Sequence, residues 1–294
     1  MRIVLIGAVL FSRASLERLI ALRAEVVGIV SRPPTPRHAD QAPLDDLAAS
    51  AGIPFHACTD INDETTVAWI AARRPDVIFC FGWSQIIRRP LLDLAPLGIV
   101  GYHPALLPKN RGRHPLIWAL ALGLEETGST FFFMDEGADS GDILSQRRLP
   151  IRAEDDAGSL YRRMTETALE QLADFLPRLT GGCYAREPQD HGRASYWRRR
   201  SPADGRIDWR MPSAGVHNLV RALARPYPGA TFRRGGDEVI VWRTEPIAEP
   251  VAANIEPGKV LAVEGRRLRV KTGDGAIDLV EHELDTLPAA GDYL

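Results

Sequence analysis

An α/β chain with a doubly wound, mostly parallel sheet, followed by a smaller β-rich domain, is what three features of the sequence require. Continuous apolar runs, not alternating ones, recur through the first part of the chain, as expected of strands covered on both faces. Between them lie segments with apolar residues at helical spacing. Beyond "TGG" (180–182) the pattern changes to Pro, Gly and Arg, then to short strands separated by turn residues.

The run "RIVLIG" (2–7) reads as a buried first strand, and "SRASLERLIALRA" repeats Leu16, Leu19, Ile20 and Leu22 at helical spacing. "VVGIV" (26–30) restores the strand signature, so strand, helix and strand imply a parallel pair with a right-handed crossover. The Pro-rich "SRPPTPRHADQAP" (31–43) is a loop, followed by helices near 43–51 and 63–74. "DVIFCFG" (76–82) is the next buried strand. A short helical segment leads into "GIVGYH" (98–103), a strand that stops at the histidine because Pro104 lacks the N–H a central strand needs. Helix (115–123), strand (127–134), strand (about 143–149) and a long amphipathic helix (157–179) complete this part. One further helix, "SAGVHNLVRALA" (213–224), and short strands such as "EVIVWRT" and "RRLRVKT" suit a small, barrel-like β domain. The boundary falls near residue 200, giving domains 1–200 and 201–294, in keeping with about 150 residues per domain.

Hydrophobic residues at 45% and charged residues at 25% are the proportions of a globular chain. No apolar run approaches the roughly 18 to 20 residues that cross a bilayer, and the start is too brief for a secretory signal. Cys58, Cys80 and Cys183 are widely spaced with no CxxC, which indicates neither a disulfide framework nor a zinc site. Together these features point to the cytoplasm and away from the membrane. A net charge of −2 gives no reason to expect tight, nonspecific binding of nucleic acid. The five arginines of "YWRRRSPADGRIDWR" (196–210) read as a solvated linker.

Open parallel sheets bind ligands beyond the carboxyl ends of their strands. That rule selects the loops after Gly7, Gly82 and His103, and only the last carries an obvious catalytic side chain. "GAVLFS" has one glycine where a dinucleotide fingerprint needs three, so a nicotinamide enzyme is set aside. A Walker loop, an HExxH motif and a GxSxG elbow are absent. A lone histidine at a strand end is commonly structural, but His103 has informative neighbours. Lys109, Arg111, Arg113 and His114 follow on its loop and suit an anionic substrate such as a phosphate or pyrophosphate. "MDEGADSGDIL" supplies Asp135, Glu136, Asp139 and Asp142, any of which could orient an imidazole as an acid/base. Spacing does not choose among them, and an oxygen-rich loop for Mg²⁺ or Ca²⁺ is the alternative.

The stretch "GYHPALLPKNRGRHPLIWALALGLEETGSTFFFMDEGADSGDIL" resembles the core of the folate-dependent formyltransferases. These comprise the methionyl-tRNA formyltransferases and the enzymes that formylate amino groups on nucleotide-linked sugars. The family pattern runs Asn-x-His, Ser-Leu-Leu-Pro, Arg-Gly, and then, about thirty residues on, Asp-x-Gly. "HPALLPKNRGR" and "ETGSTFFFMDEGADSGDI" match it in order and spacing. "PDVIFCFGWSQII" resembles the family's folate-binding strand and loop, and "HNLVRALARPYPGA" the opening of its small β domain.

The resemblance implies a Rossmann-like formyltransferase core with an OB-like C-terminal domain, and 10-formyltetrahydrofolate as formyl donor. It makes His103 the catalytic histidine and Asp139 its carboxylate partner. The family asparagine falls on Gly101. For the folate it nominates Phe81, Gly82, Trp83, Ser84, Gln85, Ile86, Ile87 and Asp142, with backbone polar groups meeting the pterin edge while Phe81 and Ile87 line its apolar face. It implies no metal. The reaction would be attack of a primary amine on the formyl carbon, through a tetrahedral oxyanion that needs a hydrogen-bond donor. Glycine offers no side-chain donor, and loss of one such donor typically costs about a hundred- to a thousand-fold in turnover. Tyr102 faces the other way along the strand. Asn110 is the most economical substitute; His114, Ser84, Gln85 or an ordered water in the vacated space are alternatives.

For the acceptor, the slightly acidic chain and the short, nearly balanced "SRPPTPRHADQAPLDD" argue against tRNA. "KNRGRHP" looks closer to the nucleotide-sugar branch, with Lys109, Arg111, Arg113 and His114 offered to the diphosphate or sugar. Methionyl-tRNA formylation, hydrolysis of formyl-folate, and binding of folate or sugar without transfer stay open as alternatives. The small domain has no assigned task; packing, homodimer formation and substrate contact are equally open.

Overall fold

The computed structural model describes residues 1–33 and 40–294. Residues 34–39, in the middle of the expected Pro-rich loop, lie outside the described residues. The chain divides into two compact units, neither of them one uninterrupted stretch. The first comprises Met1–Gly112, Gly128–Leu149 and Arg162–Trp197, and the second Arg113–Thr127, Pro150–Tyr161 and Arg198–Leu294.

In chain order the elements begin β1 (Arg2–Gly7), α1 (Leu10–Ala21), β2 (Glu25–Ser31), α2 (Asp45–Ser50) and β3 (Phe55–Ala57). Next come α3 (Glu64–Ala71), β4 (Val77–Phe81), α4 (Arg89–Leu92), β5 (Ile99–His103) and a two-residue β6 (Arg111–Gly112). They continue with α5 (Pro115–Ala121), β7 (Glu126–Phe133), β8 (Ile143–Pro150), α6 (Ala157–Thr180) and β9 (Tyr196–Trp197). The apolar runs did mark β1, β2, β4, β5 and β7 of a seven-stranded sheet, ordered β3-β2-β1-β4-β5-β7-β8; β8 is a more polar edge strand, and the three-residue β3 at the other edge is a strand the sequence reading lacks. Its first five members pair in parallel, and β7 joins β5 antiparallel. Succession runs outward from β1 through β2 to β3 on one side and through β4 and β5 on the other. The strand order therefore reverses between β1 and β4, which opens a crevice at their carboxyl ends.

Alternation along each strand divides the core into two layers. One face carries Val4, Ile6, Ile78 and Cys80, packed with Ile61, Ile70, Ile87, Leu91 and the half-buried Met134. The other face is aromatic: Phe81 lies 5.2 Å from Phe79 and 5.3 Å from Phe131, and Phe131 lies 4.9 Å from Phe175 of α6. Fully burying one such ring is worth about 1.5 to 3 kcal/mol. This double coverage explains why the strands read as unbroken apolar runs.

The second unit contains α7 (Ser213–Ala222), β10 (Ala230–Arg234), β11 (Asp237–Pro246), β12 (Val260–Glu264), β13 (Arg267–Lys271) and β14 (Ala276–His282). The five strands form one antiparallel sheet in the order β10-β11-β14-β13-β12. Val241, Leu268, Val270, Ile277 and Leu279 are buried in it, and Val216, Leu219 and Val220 form the buried stripe of α7. Among the described residues no helix is long and apolar enough to cross a membrane.

Candidate active site

His103 ends β5 with its side chain buried, at 4% exposure. Its Nε2 lies 2.7 Å from the backbone oxygen of Asn110, which can only accept, so Nε2 carries a proton and donates. Nδ1 then faces Oδ2 of Asp139 at 3.5 Å. That is longer than a good hydrogen bond. Of the four acids expected on the Asp135–Asp142 loop, Asp139 is the one brought to the imidazole. Asp135 caps its own loop by accepting from the Gly137 N–H and the Ser140 hydroxyl, and Glu136 pairs with Arg89 at 2.7 Å. Asp142 accepts at its backbone oxygen from the Phe133 N–H, at 2.8 Å.

The segment 110–112 holds both partners. Asn110 adopts a left-handed φ of 62° and receives the His103 proton on its carbonyl, while the Gly112 N–H donates to Asp139 Oδ2 at 2.8 Å. Ser195 fixes Asn110 in turn: its Oγ accepts from the Asn110 N–H at 2.9 Å and donates to Asn110 Oδ1 at 3.3 Å. Pairing of β6 with β9 ties the same segment to residues 196–197. Ser195 carries no motif in the sequence; only its place across from Asn110 reveals it.

Arg111 requires a correction. Expected to meet an anionic substrate, it is 1% exposed, and its guanidinium is engaged by Gln189, the Tyr196 hydroxyl and His191. It joins segments of the first unit, and at this burial its guanidinium presents no exposed edge to a ligand. Lys109, two residues earlier, is exposed. In the second unit Arg113 and His114 are exposed at the start of α5. Although the residue is exposed as a whole, partial desolvation of its ring, reinforced by Arg113, Arg200 and Arg199, pushes the His114 imidazole below its usual range. The arginine run expected to be a solvated linker is organised here: Arg198 and Arg200 lie over the Trp118 ring at 5.2 and 4.5 Å, and Arg198 pairs with Asp204.

Gly101 shares a face with Cys80 of β4 and Phe132 of β7, its register partners. A Cβ at this position would stand 3.0 Å from Met134 Cγ and 3.0 Å from Phe132 Cζ. The space expected to be vacated is therefore occupied by two neighbouring side chains, which removes the ordered water from the substitutes for the family amide. Gln85 is removed as well, since its amide donates to the Thr59 carbonyl and accepts from the Ile61 N–H. Tyr102 points to the aromatic face, where its ring meets Phe11 at 4.2 Å, as the alternation of the strand required.

The crevice beyond β4 begins at Gly82, whose φ of 69° admits only a glycine beside Val9, 2.1 Å from where a Cβ would stand. Phe81 is wholly buried in the aromatic layer and Ile87 sits in the opposite core layer, so neither offers a side chain to a pterin as expected. Ile86, by contrast, is 74% exposed. The Trp83 ring lies under the Arg32 guanidinium at 4.5 Å, and Arg32 donates to Ser84 Oγ at 3.3 Å. Trp83 Nε1 and Arg32 Nε are buried without a partner among the described residues. Two such donors beside an open crevice fit a ligand edge rich in acceptors. Arg32 is a residue that sequence reasoning missed, because only the fold brings the end of β2 beside β4's loop. Among the described residues no group of three His, Cys, Asp or Glu side chains is arranged to hold a metal ion.

Residues 1–176 match the family model described as formyl transferase, and residues 199–290 match that of the formyl transferase C-terminal domain. Among solved structures the chain is similar to WlaRD, a sugar 3N-formyl transferase crystallised in the presence of dTDP and 5-N-formyl-THF. Identity is 17%, TM-score 0.72, and the match covers 98% of this chain and 99% of that one. It is similar also to an N-formyltransferase from Helicobacter canadensis in complex with folinic acid and dTDP-3-aminofucose, at 18% identity and TM-score 0.71, covering 94% and 98% of the two chains. HypX from Aquifex aeolicus in complex with tetrahydrofolic acid matches at 23% identity and TM-score 0.69, covering 96% of this chain. The present chain spans 44% of the length of HypX.

Proposed function

The chain belongs to the formyl transferase family, and on that premise we propose that it transfers a formyl group from 10-formyltetrahydrofolate to the primary amine of a nucleotide-linked aminosugar. The observation that carries the chemistry is the His103 ring held between the Asn110 carbonyl and the Asp139 carboxylate at the carboxyl end of β5.

With Nε2–H engaged, Nδ1 is the nitrogen left to take a proton from the attacking amine and return it to the departing nitrogen. Asp139 steadies the resulting imidazolium across the 3.5 Å gap. Asn110 supplies the amide that Gly101 lacks. Ser195 fixes its Oδ1, which leaves Nδ2 as the donor for the oxyanion. Folate binding falls to the Gly82–Ile86 loop, Arg32 and Asp142, with Trp83 Nε1 and Arg32 Nε as donors to the pterin or its tail. Lys109 is the exposed cation of the first unit offered to an anionic acceptor. The nucleotide-sugar reading is supported by dTDP and dTDP-3-aminofucose in the complexes of two similar proteins and by a net charge of −2, which disfavours tRNA.

Purified protein incubated with 10-formyltetrahydrofolate and a panel of dTDP-, UDP- and GDP-linked aminosugars tests the reading through release of tetrahydrofolate. Release is expected only with an acceptor present, and His103→Gln is expected to lower it by about 10² to 10⁴. Formate released without an acceptor would replace transfer by hydrolysis. Absence of any turnover would leave a binding role.

A further inference from the structure

Asp139 adopts a left-handed φ of 53° although it is not glycine. Aspartate tolerates this conformation better than most residues, and here the surroundings hold it. Gln189 provides that fixation. Its Nε2 donates to the backbone oxygens of Asp139 and Gly141, at 2.9 and 2.6 Å. Its Oε1 accepts from Nε and Nη2 of Arg111, at 3.2 and 2.6 Å. The rest of the Arg111 guanidinium meets the Tyr196 hydroxyl at 2.9 Å and His191 Nδ1 at 3.3 Å. Both Gln189 and Arg111 are buried.

The residue type is informative. A buried arginine is usually met by a carboxylate, which would bind it more strongly. Here the partner is a neutral amide. Only an amide presents an oxygen to the guanidinium and, on the same side chain, N–H groups to two carbonyls; a glutamate would set an oxygen against both. The network also closes on the reacting pair, because the residues flanking Arg111 touch it from both sides: the Asn110 carbonyl on His103 and the Gly112 N–H on Asp139.

We infer that Gln189, oriented by Arg111, is a positioning residue that holds the Asp139 backbone so that its carboxylate faces the imidazole of His103. The inference rests on the reading of His103 and Asp139 as the reacting pair. Gln189 makes no contact with the His103 ring and is placed to act chiefly through the backbone of the Asp139 loop.

Gln189→Glu keeps the acceptor for Arg111 and removes the donor. With 10-formyltetrahydrofolate and the accepted aminosugar nucleotide, kcat is expected to fall about a hundred-fold while KM for the donor stays within about threefold, the pattern of a reacting group displaced by roughly 1 Å. Backbone amides of residues 135–142 are expected to exchange hydrogen faster in the variant, a readout that needs no substrate. In an Asp139→Asn background the same substitution is expected to change kcat less than about threefold, since the group it positions is already gone. Unchanged kcat and exchange in Gln189→Glu, or a full further loss of kcat on top of Asp139→Asn, overturns the inference. Gln189→Met, which neither donates nor accepts, repeats the comparison should the glutamate variant not fold. Rapid exchange of residues 137–142 in the unaltered protein overturns it without any variant. If Asp139→Asn turns over normally, the catalytic reading fails by itself and the exchange result still decides whether Gln189 orders the loop.

Discussion

Gly101 is glycine because its neighbours fill the place of a side chain. It lies within β5, outside any turn, with Met134 Cγ and Phe132 Cζ each 3.0 Å from the position of a Cβ. Restoring the family residue by Gly101→Asn overpacks this layer, and a loss of about 1 to 3 kcal/mol of stability is expected in urea titration. Gly101→Asn combined with Met134→Ala is expected to recover at least half of that loss; a double variant no more stable than the single would assign the cost to something other than crowding. The juxtaposition of His103 and Asp139 was legible: His103 stood out at a strand end, the spacing to Asp139 matched a family pattern, and the two side chains lie 3.5 Å apart. Arg111 was misread because a cation beside a histidine looks like an anion site, and its partner Gln189 stands 78 positions away. Nothing local in a sequence marks such a pairing.

In the turn between β1 and α1 the backbone donors nearest the strand end are already engaged. Ser12, fully buried, accepts at its Oγ from the N–H groups of Ala8 and Val9, both at 3.1 Å, and donates to the Phe81 carbonyl at 2.6 Å. The backbone donors that would cradle a phosphate are thereby engaged, and the end of β1's loop is bonded to the end of β4. Ser12→Ala leaves these groups unsatisfied and is expected to cost about 1 to 3 kcal/mol, measured by chemical denaturation. A change below about 0.5 kcal/mol would mean that water replaces the hydroxyl. Long elements were legible because two covered faces force apolar runs and one covered stripe forces helical spacing. The two-residue pair β6 and β9 was not: its partners are chosen by tertiary packing, and "RG" and "YW" have no periodicity to read.

One buried and one half-buried histidine in the second unit make the folded protein resist protonation. His282 in the second unit donates through Nε2 to the Arg266 carbonyl at 2.7 Å and accepts at Nδ1 from the Leu284 N–H at 3.3 Å. The neutral ring is satisfied on both sides, and a second proton would face an N–H. Burial first, then the Arg266 guanidinium, push this imidazole below its usual range against the pull of the carbonyl. Burial likewise lowers His217. The unfolded chain gains these protons near pH 6.5 while the folded unit resists them, so stability is full above about pH 6.5 and falls as the pH drops below it. The thermal midpoint is expected to be lower at pH 5.5 than at 7.5, with a smaller difference in His282→Gln; a midpoint that rises on acidification would contradict the sign. The α/β then β organisation was legible from the change of pattern after residue 180, whereas the interleaving of three chain segments in each unit was not, since it reflects contacts between distant residues. One feature of this interleaving reaches back to synthesis. Gln189 leaves the ribosome 86 positions after His103. At about 5 to 20 residues per second, the nascent chain carries its imidazole for roughly 4 to 17 seconds before the amide that orders the opposing loop exists. Until then the segment Asp135–Asp142 is without the side chain that bonds its backbone.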